Sequence, residues 1–528
     1  MKELKFEELT LEQKFGMVYS AYWTPYYDHD RENNEKWILG MIKKRALGCV
    51  WIQQSLPDAD EMIKKVREAA DYPILIITDA ESGIGEYKIG KQNAIGCTDS
   101  EEHAYAFGKA LGVTARKRGY NIVCNPLLDL SKNGSMRSMG SDKERVLRLA
   151  AAEIRGMHDG GVLSVCKHYP GHSLTTEHKD SHMEPIEAPE TKEELLQTNL
   201  YPYIKLNELG LLDGIMTGHH KFSKIDPEFP TSLSKKTIDI IREQGFNGFT
   251  ITDALSMQGV VAEFGYEKPM GLSIAAGNTF ALPYSAAVEK KYNQIKEAYE
   301  NGVITDEILD SAVKIVLETQ EKALEMYTET EITEQERALA KLINKDSVFA
   351  KTDDGVDLPI SKDGKHYFIL MVRNETDVNS EGKVEVDTFS NGWHHPSKII
   401  KKIEETFPNS VVRTVYEFPT QGQNCKVLSE VPDLNPDDVV FISFSEFLAF
   451  AGGEEITYRI VRLLEAFQKT DRISTLIHFG NPKVLEPLPH FKRVIIGGQS
   501  EESIEACFDV LSGDYPAKGS LTYDVNFK

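Results

Sequence analysis

Short apolar runs alternate with amphipathic stretches along the first half of the chain. The apolar runs lie at residues 47–52, 73–78, 120–125, 162–168, 213–219, 249–254 and 279–284. Two intervening stretches, 100–119 and 142–161, have helical patterns, and the second begins at Ser141 and Asp142, which favour helix N-termini, and ends at glycines. Strands that each lead into a helix indicate parallel β/α units. At this length they predict a (β/α)8 barrel of the TIM type rather than an open sheet.

The pattern changes near residues 327–345, which are charged. The stretch TETEITEQERALAKLINKDSVFA that begins at Thr328 is predicted to be helical, with no strand. A second alternating series follows, with apolar runs at 366–373, 410–418, 438–445, 474–480 and 493–498 and helical patterns at 457–469 and 501–513. We therefore predict two domains. They are a barrel at 1–335 and a smaller α/β domain with a mainly parallel sheet at 351–528, joined by a linker at 336–350.

Charge and composition exclude several classes of binding partner and cofactor from what we expect. The 528-residue chain has a formal net charge of −22, so nucleic acid and anionic membrane surfaces would repel it and neither is an expected partner. The six cysteines form no CxxC pair and no zinc-ligand spacing, and no nucleotide-binding motif occurs, so we expect neither a metal nor another cofactor. The N-terminus lacks a signal-peptide pattern and no run of about 18 apolar residues occurs, so we expect a cytoplasmic protein.

Polar side chains follow most of the predicted barrel strands. They are Asp79, Glu81, Asn125, Asp129, Arg137, Lys167, His168, His219, His220 and Asp253. Because the active sites of β/α barrels lie at the carboxyl ends of the strands, we expect these side chains to converge on one face. Taken singly, each is explained as well by helix capping or loop hydrogen bonds. Together they predict a pocket for a polyhydroxylated ligand, since charged groups form strong hydrogen bonds with hydroxyls.

Asp253 directly follows the apolar residues Phe249 to Thr252. A carboxylate at a strand end can act as a covalent nucleophile in sugar chemistry. It is equally well placed to cap a helix with the sequence LSMQGVVAEF. The residues alone leave both roles open.

The stretch KHYPGHSLTTEHKDSH, residues 167–182, contains four histidines. A connection of this length is typical of a functional loop. Within it, the side chains of Asp180 and His182 can meet in an extended segment, and the carboxylate would then orient the imidazole as a proton donor and acceptor. Glu177 and His178 form a competing pair, and a solvated charged loop is the alternative to both.

A zinc cluster within the same loop is a further alternative. Its ligands would be His172, His178 and His182, but none of their spacings is helical and no thiolate accompanies them. The sequence therefore favours proton transfer over metal binding in this loop.

Seven segments match motifs of one known family. They are LTLEQKFGMV, TDAESG, NPLLDL, KHYPGH, PTSLSKK, ITDALSM and, near the end, AKGSLTYDV. In these segments the chain resembles glycoside hydrolase family 3 and, within it, the β-N-acetylglucosaminidase branch. The match covers almost the whole chain, and the segments around Lys167 and Asp253 are its most specific parts.

The resemblance implies a retaining exo-β-N-acetylglucosaminidase and an α/β sandwich as the second domain. In such an enzyme Asp253 would be the nucleophile, and His182, paired with Asp180, would be the acid/base. The sugar hydroxyls would be bound by Asp79, Arg137, Lys167 and His168. The chain departs from the family at Ser173, where glycine is usual, and in the length of the loop before Asp180.

The expected substrate is a carbohydrate with a terminal β-linked amino sugar, and the expected assembly is a monomer or homodimer. A phosphorylase is an alternative, because an imidazole acid/base does not repel incoming phosphate as a carboxylate would. The remaining alternatives are a β-glucosidase or β-xylosidase and a catalytically silent sugar-binding protein.

Overall fold

The computed structural model describes residues 3–23, 31–177, 179–372, 376–378, 384–386, 395–445, 455–469 and 473–528. The chain divides into two compact units. The first comprises Met1–Lys88, Ser100–Ser131 and Ser141–Lys341, and the second comprises Ile89–Asp99, Lys132–Gly140 and Leu342–Lys528. The domain boundaries given above stay a prediction.

The first unit is built on a parallel sheet. Its strands, in spatial order, are Ser20–Tyr22, Cys49–Trp51, Leu75–Asp79, Ile122–Cys124, Leu163–Tyr169, Gly214–Thr217 and Phe249–Thr252. Every neighbouring pair is parallel, and the order in space follows the order in sequence. This is the arrangement of repeated β/α units.

Residues 279–282 close this sheet into a barrel. The backbone N–H of Phe280 donates to the Thr250 carbonyl on one side, and the N–H of Ser20 donates to the Ala281 carbonyl on the other. Parallel bridges join the same segment to the first and last strands. The predicted barrel is confirmed, with its eighth position held by bridges rather than a full strand.

Helices surround the barrel strands. The α-helices of this unit are Leu11–Met17, Arg31–Lys43, Ala59–Ala69, Glu101–Arg118, Lys143–Asp159, Lys192–Gln197, Leu200–Glu208, Lys235–Glu243, Gln258–Phe264, Pro269–Ala275, Val288–Glu300 and Asp306–Glu325, and Glu334–Asp346 leads into the second unit. Short 3-10 helices occupy Phe6–Glu8 and Thr231–Leu233. The helices predicted at 100–119 and 142–161 are confirmed. Ser100 and Asp142 cap their N-termini, as their hydroxyl and carboxylate oxygens accept backbone N–H groups.

The first unit also contains two pairs of short strands outside the barrel sheet. Gly83–Ile84 pairs antiparallel with Tyr87–Lys88, and Ile186–Ala188 pairs in parallel with His220–Phe222. We call residues 167–182 the histidine-rich loop. The second pair joins the segment directly after this loop to the segment that follows the strand Gly214–Thr217.

The second unit contains a six-stranded sheet. Its spatial order is Phe349–Thr352, Arg493–Gly497, Ile473–Phe479, Asp438–Phe444, His366–Val372 and Val411–Tyr416. The first strand is antiparallel and the other pairings are parallel, so the predicted mainly parallel sheet is confirmed. The α-helices are Asn93–Thr98, Pro396–Thr406, Gln421–Leu434, Tyr458–Lys469 and Glu501–Ser512. A 3-10 helix at Pro482–Leu485 and a hairpin of Thr376–Val378 with Val384–Val386 complete the unit.

The prediction missed two strands of the main sheets, as well as the short paired strands outside them. Ser20–Tyr22 has only three residues and follows the helix Leu11–Met17 closely, and residues 15–23 are all buried, so no alternation of apolar and polar residues marks the strand. Phe349–Thr352 overlaps the stretch that was predicted to contain no strand. It is an edge strand with half-exposed side chains, which gives little hydrophobic signal. Among the residues that the structure describes, no helix is long and apolar enough to cross a membrane.

Candidate active site

The carboxyl ends of the barrel strands carry the polar side chains that the sequence placed there. Asp79 ends one strand, Lys167 and His168 lie near the end of another, and Asp253 follows the strand Phe249–Thr252. These strands are buried along most of their length, and their charged side chains lie at or near the strand ends. The rim of the barrel is therefore the candidate active site.

Lys167 lies between two carboxylates. Its ammonium Nζ is 2.5 Å from Asp79 Oδ1 and 2.6 Å from Glu81 Oε1, and its side chain is almost completely buried. The carboxylates of Asp79 and Glu81 are partly exposed. The ammonium compensates their charge and holds both at the rim, where they can accept hydrogen bonds from ligand hydroxyls.

His168 is held by Asp129, which follows the neighbouring strand Ile122–Cys124. The imidazole Nδ1 donates to Asp129 Oδ2 at 2.7 Å, and the same carboxylate accepts the backbone N–H groups of His168 and His172. The other ring nitrogen of His168 points toward the nucleophile candidate, since Nε2 is 3.9 Å from Asp253 Oδ2. Asp129 thereby fixes both the ring and the start of the histidine-rich loop.

The Asp253 carboxylate is poised in its ionised form. Its backbone N–H donates to the Thr217 carbonyl, which fixes it to the neighbouring strand. Burial raises the pKa of the carboxyl group, but electrostatic attraction to His168 and a hydrogen bond from the Ala254 N–H outweigh this and bring the pKa to about 2. An anion with this pKa is available for nucleophilic attack near neutral pH. The alternative role of Asp253 as a helix cap is wrong, because the helix that follows is Gln258–Phe264 and its N-cap residue is Met257.

Two further histidines line the rim in neutral form. His219 Nε2 donates to the Ala254 carbonyl at 3.0 Å, and its Nδ1 accepts from the Ser232 hydroxyl at 2.8 Å. His220 Nδ1 accepts the Ser173 N–H at 3.1 Å. Burial lowers the pKa of both imidazoles. Their position after a strand marked them in the sequence, but nothing there indicated that they support Asp253 and the loop.

Three imidazole rings stack beside Asp129. The ring centroids of His168 and His172 are 5.2 Å apart, and those of His172 and His220 are 4.8 Å apart. Both pairs are nearly parallel. The stack therefore joins two histidines of the loop to His220, which follows the neighbouring strand Gly214–Thr217.

Asp180 and His182 are in contact within that loop. The His182 Nδ1 donates to Asp180 Oδ1 at 2.7 Å, and the His182 backbone N–H donates to the same oxygen at 2.9 Å. The pair lies in a turn rather than in the extended segment that was predicted, since the Asp180 carbonyl accepts the Met183 and Glu184 N–H groups. Between the two residues, the Ser181 carbonyl accepts the N–H of Gly259 from the helix that follows Asp253.

The middle of the loop is hydrogen-bonded to the rest of the unit by side chains whose pairing was not predicted from the sequence. The Ser173 hydroxyl donates to Glu190 Oε1 at 2.7 Å and accepts the N–H groups of Thr175 and Thr176. The Ser131 hydroxyl donates to Glu177 Oε2 at 2.7 Å. Ser173, at a position where the resembled family usually has glycine, therefore organises the loop through its hydroxyl group. Glu177 accepts a hydrogen bond from Ser131.

Arg137 lies in the second unit. Its segment, Lys132–Gly140, is bound there by Asn93 and Tyr523, since Asn93 Nδ2 and the Tyr523 hydroxyl both donate to the Ser138 carbonyl. The role of Arg137 in sugar binding stays a prediction.

One group of described residues has the spacing of metal ligands. The nearest donor atoms of Asp129, His168 and His172 all lie within 4.8 Å of one another. In this arrangement the Asp129 carboxylate already accepts hydrogen bonds from both histidines. The alternative zinc cluster includes His178, which lies outside the described residues.

A model of the glycosyl hydrolase family 3 N-terminal domain matches residues 6–319. A beta-hexosaminidase of Tolumonas auensis is 30% identical over 229 residues, which cover 41% of this chain and 68% of that protein. A beta-hexosaminidase of Idiomarina loihiensis is 30% identical over 238 residues, which cover 42% of this chain and 71% of that protein.

Solved structures share the fold over both units. A glycoside hydrolase family 3 beta-N-acetylglucosaminidase from Paenibacillus sp. str. FPU-7 superposes with a TM-score of 0.77 at 22% identity, covering 98% of this chain and 100% of that chain. The beta-glucoside phosphorylase BglX gives a TM-score of 0.77 at 20% identity and covers 98% of this chain and 94% of that chain. At these identities the likeness establishes the two-part architecture alone.

Proposed function

Because the chain belongs to glycosyl hydrolase family 3 and is a glycoside hydrolase, we propose that it is a retaining exo-β-N-acetylglucosaminidase. Its substrate would be a carbohydrate with a terminal β-linked N-acetylglucosamine. The relatives of about 30% identity, which bear the name beta-hexosaminidase, support this choice of sugar.

In the first step of the proposed mechanism, Asp253 attacks the anomeric carbon and His182 protonates the glycosidic oxygen. The bond from sugar to aglycone breaks, and a covalent glycosyl-enzyme forms on the Asp253 carboxylate. In the second step His182 removes a proton from water, whose oxygen attacks the anomeric carbon and displaces Asp253. Two inversions give net retention, and both residues return to their starting protonation states.

Asp180 is assigned the role of orienting His182. Its carboxylate accepts the Nδ1–H of the ring, which leaves Nε2 as the atom that transfers the proton. The carboxylate also stabilises the imidazolium formed when His182 takes a proton from water. This 2.7 Å contact, on a loop that is bonded to the helix after Asp253, is the observation that carries the proposal.

The rim residues are assigned to sugar binding. Asp79 and His168 would accept or donate hydrogen bonds with hydroxyl groups, while Lys167 would hold Asp79 in place. Arg137 is assigned to the same task from the family motif. Its contribution can be measured separately as a rise in KM in Arg137→Ala with kcat little changed.

The first test replaces the nucleophile. We expect Asp253→Asn to abolish turnover of para-nitrophenyl N-acetyl-β-glucosaminide while sugar binding persists, because the amide occupies the same space without the anionic oxygen. A 5-fluoro amino-sugar fluoride should label the peptide that contains Asp253 in the wild-type protein. Near-normal turnover by the variant, or no labelled peptide, would contradict the assignment, and the latter would favour a silent sugar-binding protein.

Phosphorolysis is a second candidate, and the imidazole at the acid/base position favours it. A neutral or positive ring does not repel phosphate as a second carboxylate would. Aryl glycosides of N-acetylglucosamine, glucose and xylose, each with and without phosphate, separate the candidates. Sugar 1-phosphate as the main product would replace hydrolysis by phosphorolysis, and a preference for glucose or xylose would replace the amino sugar.

A further inference from the structure

The histidine-rich loop is bonded to the helix Gln258–Phe264 at Gly259. The Gly259 N–H donates to the Ser181 carbonyl at 2.8 Å. The first N–H groups of a helix have no acceptor within the helix, and the N-cap residue here, Met257, offers no side-chain acceptor. The loop carbonyl therefore satisfies a donor that the helix itself leaves unpaired.

The contact at Gly259 depends on the absence of a side chain. A Cβ at this position would lie 2.9 Å from the Ser181 carbonyl oxygen, 3.1 Å from Ser181 Cβ and 3.4 Å from His219 Cβ. The two closest atoms belong to backbone or to the first side-chain carbon, so no rotation of a flexible side chain can relieve the crowding. Any larger residue must push Ser181 away from the helix.

We propose that Gly259 is a positioning residue for the acid/base imidazole. Ser181 lies between Asp180 and His182, so its docking on Gly259 sets the place of both. The same stretch, residues 253–264, carries Asp253. One piece of the barrel rim thereby positions the nucleophile directly and the acid/base through a backbone hydrogen bond. This inference rests on the proposed role of His182.

The proposal predicts a defect that depends on the leaving group. Displacement of His182 removes protonation of the aglycone oxygen but leaves the attack by Asp253. A phenyl glycoside needs that proton, whereas a dinitrophenyl glycoside departs as a stable anion. The ratio kcat/KM reports the steps up to formation of the glycosyl-enzyme, so it isolates this effect from the later hydrolysis.

The experiment measures kcat/KM of Gly259→Ala on both glycosides. We expect a loss of about 10²-fold on the phenyl glycoside and a change within about 3-fold on the dinitrophenyl glycoside. The melting temperature should not fall by more than a few degrees, because alanine is a better helix former than glycine, which offsets local crowding.

Gly40→Ala is the matched control. Gly40 also lies inside a helix, Arg31–Lys43, but a Cβ there would meet no atom within 4 Å. It should leave both substrates unaffected. An equal loss on both glycosides in Gly259→Ala, or no loss on either, would overturn the inference, provided that His182→Ala shows the leaving-group dependence. If His182→Ala lacks that dependence, the proposed function fails instead.

Discussion

Two carboxylate–imidazole pairs in the barrel unit share one contact and differ in their surroundings. In Asp129–His168 and in Asp180–His182, the imidazole Nδ1 donates to a carboxylate oxygen at 2.7 Å. The side chains of His168 and Asp129 are 6% and 8% exposed, whereas those of His182 and Asp180 are 35% and 16% exposed. The contact distance alone therefore does not distinguish the two pairs, but burial does.

The difference in burial is consistent with the different roles proposed for the two pairs. Asp129 joins a strand end to a residue 39 positions later and also accepts two backbone N–H groups, so it fixes the chain at the rim. Asp180 and His182 lie two residues apart in one turn. That turn is held by the hydrogen bond from the Gly259 N–H to the Ser181 carbonyl. A buried, multiply bonded pair suits a group that holds a ligand. A partly exposed pair suits a group that passes protons to a leaving group and from water.

The largest expected effect comes from breaking the buried pair. Asp129→Ala leaves His168 Nδ1 and the N–H groups of His168 and His172 without their acceptor, so we expect the free energy of unfolding to fall by about 3–5 kcal/mol. Asp180→Ala should cost no more than about 1 kcal/mol, because water can reach its partner. Urea titration of both variants measures the difference, and Asp129→Asn, which keeps an acceptor oxygen, should lie between them. Equal losses in the two alanine variants would remove the distinction drawn from burial.

The same contrast explains what the sequence could predict. The Asp180–His182 contact was predictable because both partners lie within three residues of chain. The Asp129–His168 contact was not, because the sequence places both residues after strands but does not say which side chains meet across the rim. The hydrogen bond from Ser173 to Glu190 could not be predicted for the same reason, because its partners are 17 positions apart in the sequence.

The fold shows a related limit. Apolar runs of five or more residues, such as those containing Leu75–Asp79 and Leu163–Tyr169, were found because buried parallel strands are continuously hydrophobic. The barrel strand Ser20–Tyr22 was missed, and its contact with the segment 279–282, which lies in a predicted apolar run, links the two ends of the barrel. Such closure depends on distant backbone groups, which no local pattern reveals.

The partly exposed pair should dominate catalysis rather than stability. For Asp180→Ala we expect kcat/KM on a phenyl glycoside to fall by about 10²-fold, because the imidazole loses its orienting acceptor. Activity on a dinitrophenyl glycoside should change far less, and urea unfolding should remain close to the wild-type curve. A loss of the same size on both glycosides would mean that Asp180 supports the nucleophile or the fold, and would remove the functional half of the comparison.

His220 stacks on His172 and accepts a hydrogen bond from the loop at Ser173. Its burial makes the free energy of unfolding depend on pH in a predictable way. Burial keeps its folded-state pKa well below the ordinary value, and the neutral Nδ1 accepts the Ser173 N–H at the start of the loop. Below about pH 6.5 the unfolded chain binds a proton at this residue and the folded chain does not, so stability falls by about 1.4 kcal/mol per pH unit from this group.

The measurement compares urea unfolding of the wild type and His220→Gln at pH 6 and pH 5, about half a unit and about one and a half units below the ordinary pKa. We expect the variant to be less stable at neutral pH but to lose less stability on acidification. His490→Gln is the control, because contacts with the Lys528 carbonyl and Asp353 raise the pKa of His490. That shift stabilises the fold below the ordinary pKa, and this contribution is lost only as pH rises through the folded-state pKa, so the control should leave the slope between pH 6 and pH 5 nearly unchanged. An unchanged slope in His220→Gln would show that His220 is protonated in the folded protein.

The smallest expected effect comes from loosening the loop that carries the partly exposed pair. Ser173→Ala removes a hydroxyl that donates to Glu190 and accepts the N–H groups of Thr175 and Thr176, while leaving the backbone preference nearly unchanged. We expect a loss of about 1 kcal/mol in unfolding free energy and a decrease of a few fold in kcat/KM on a phenyl glycoside. Ser173→Gly, which restores the residue usual in the family, should show the same loss plus the entropic cost of glycine. If both variants behave as the wild type, the hydroxyl network does not hold the loop, and the hydrogen bond at Gly259 must carry its placement.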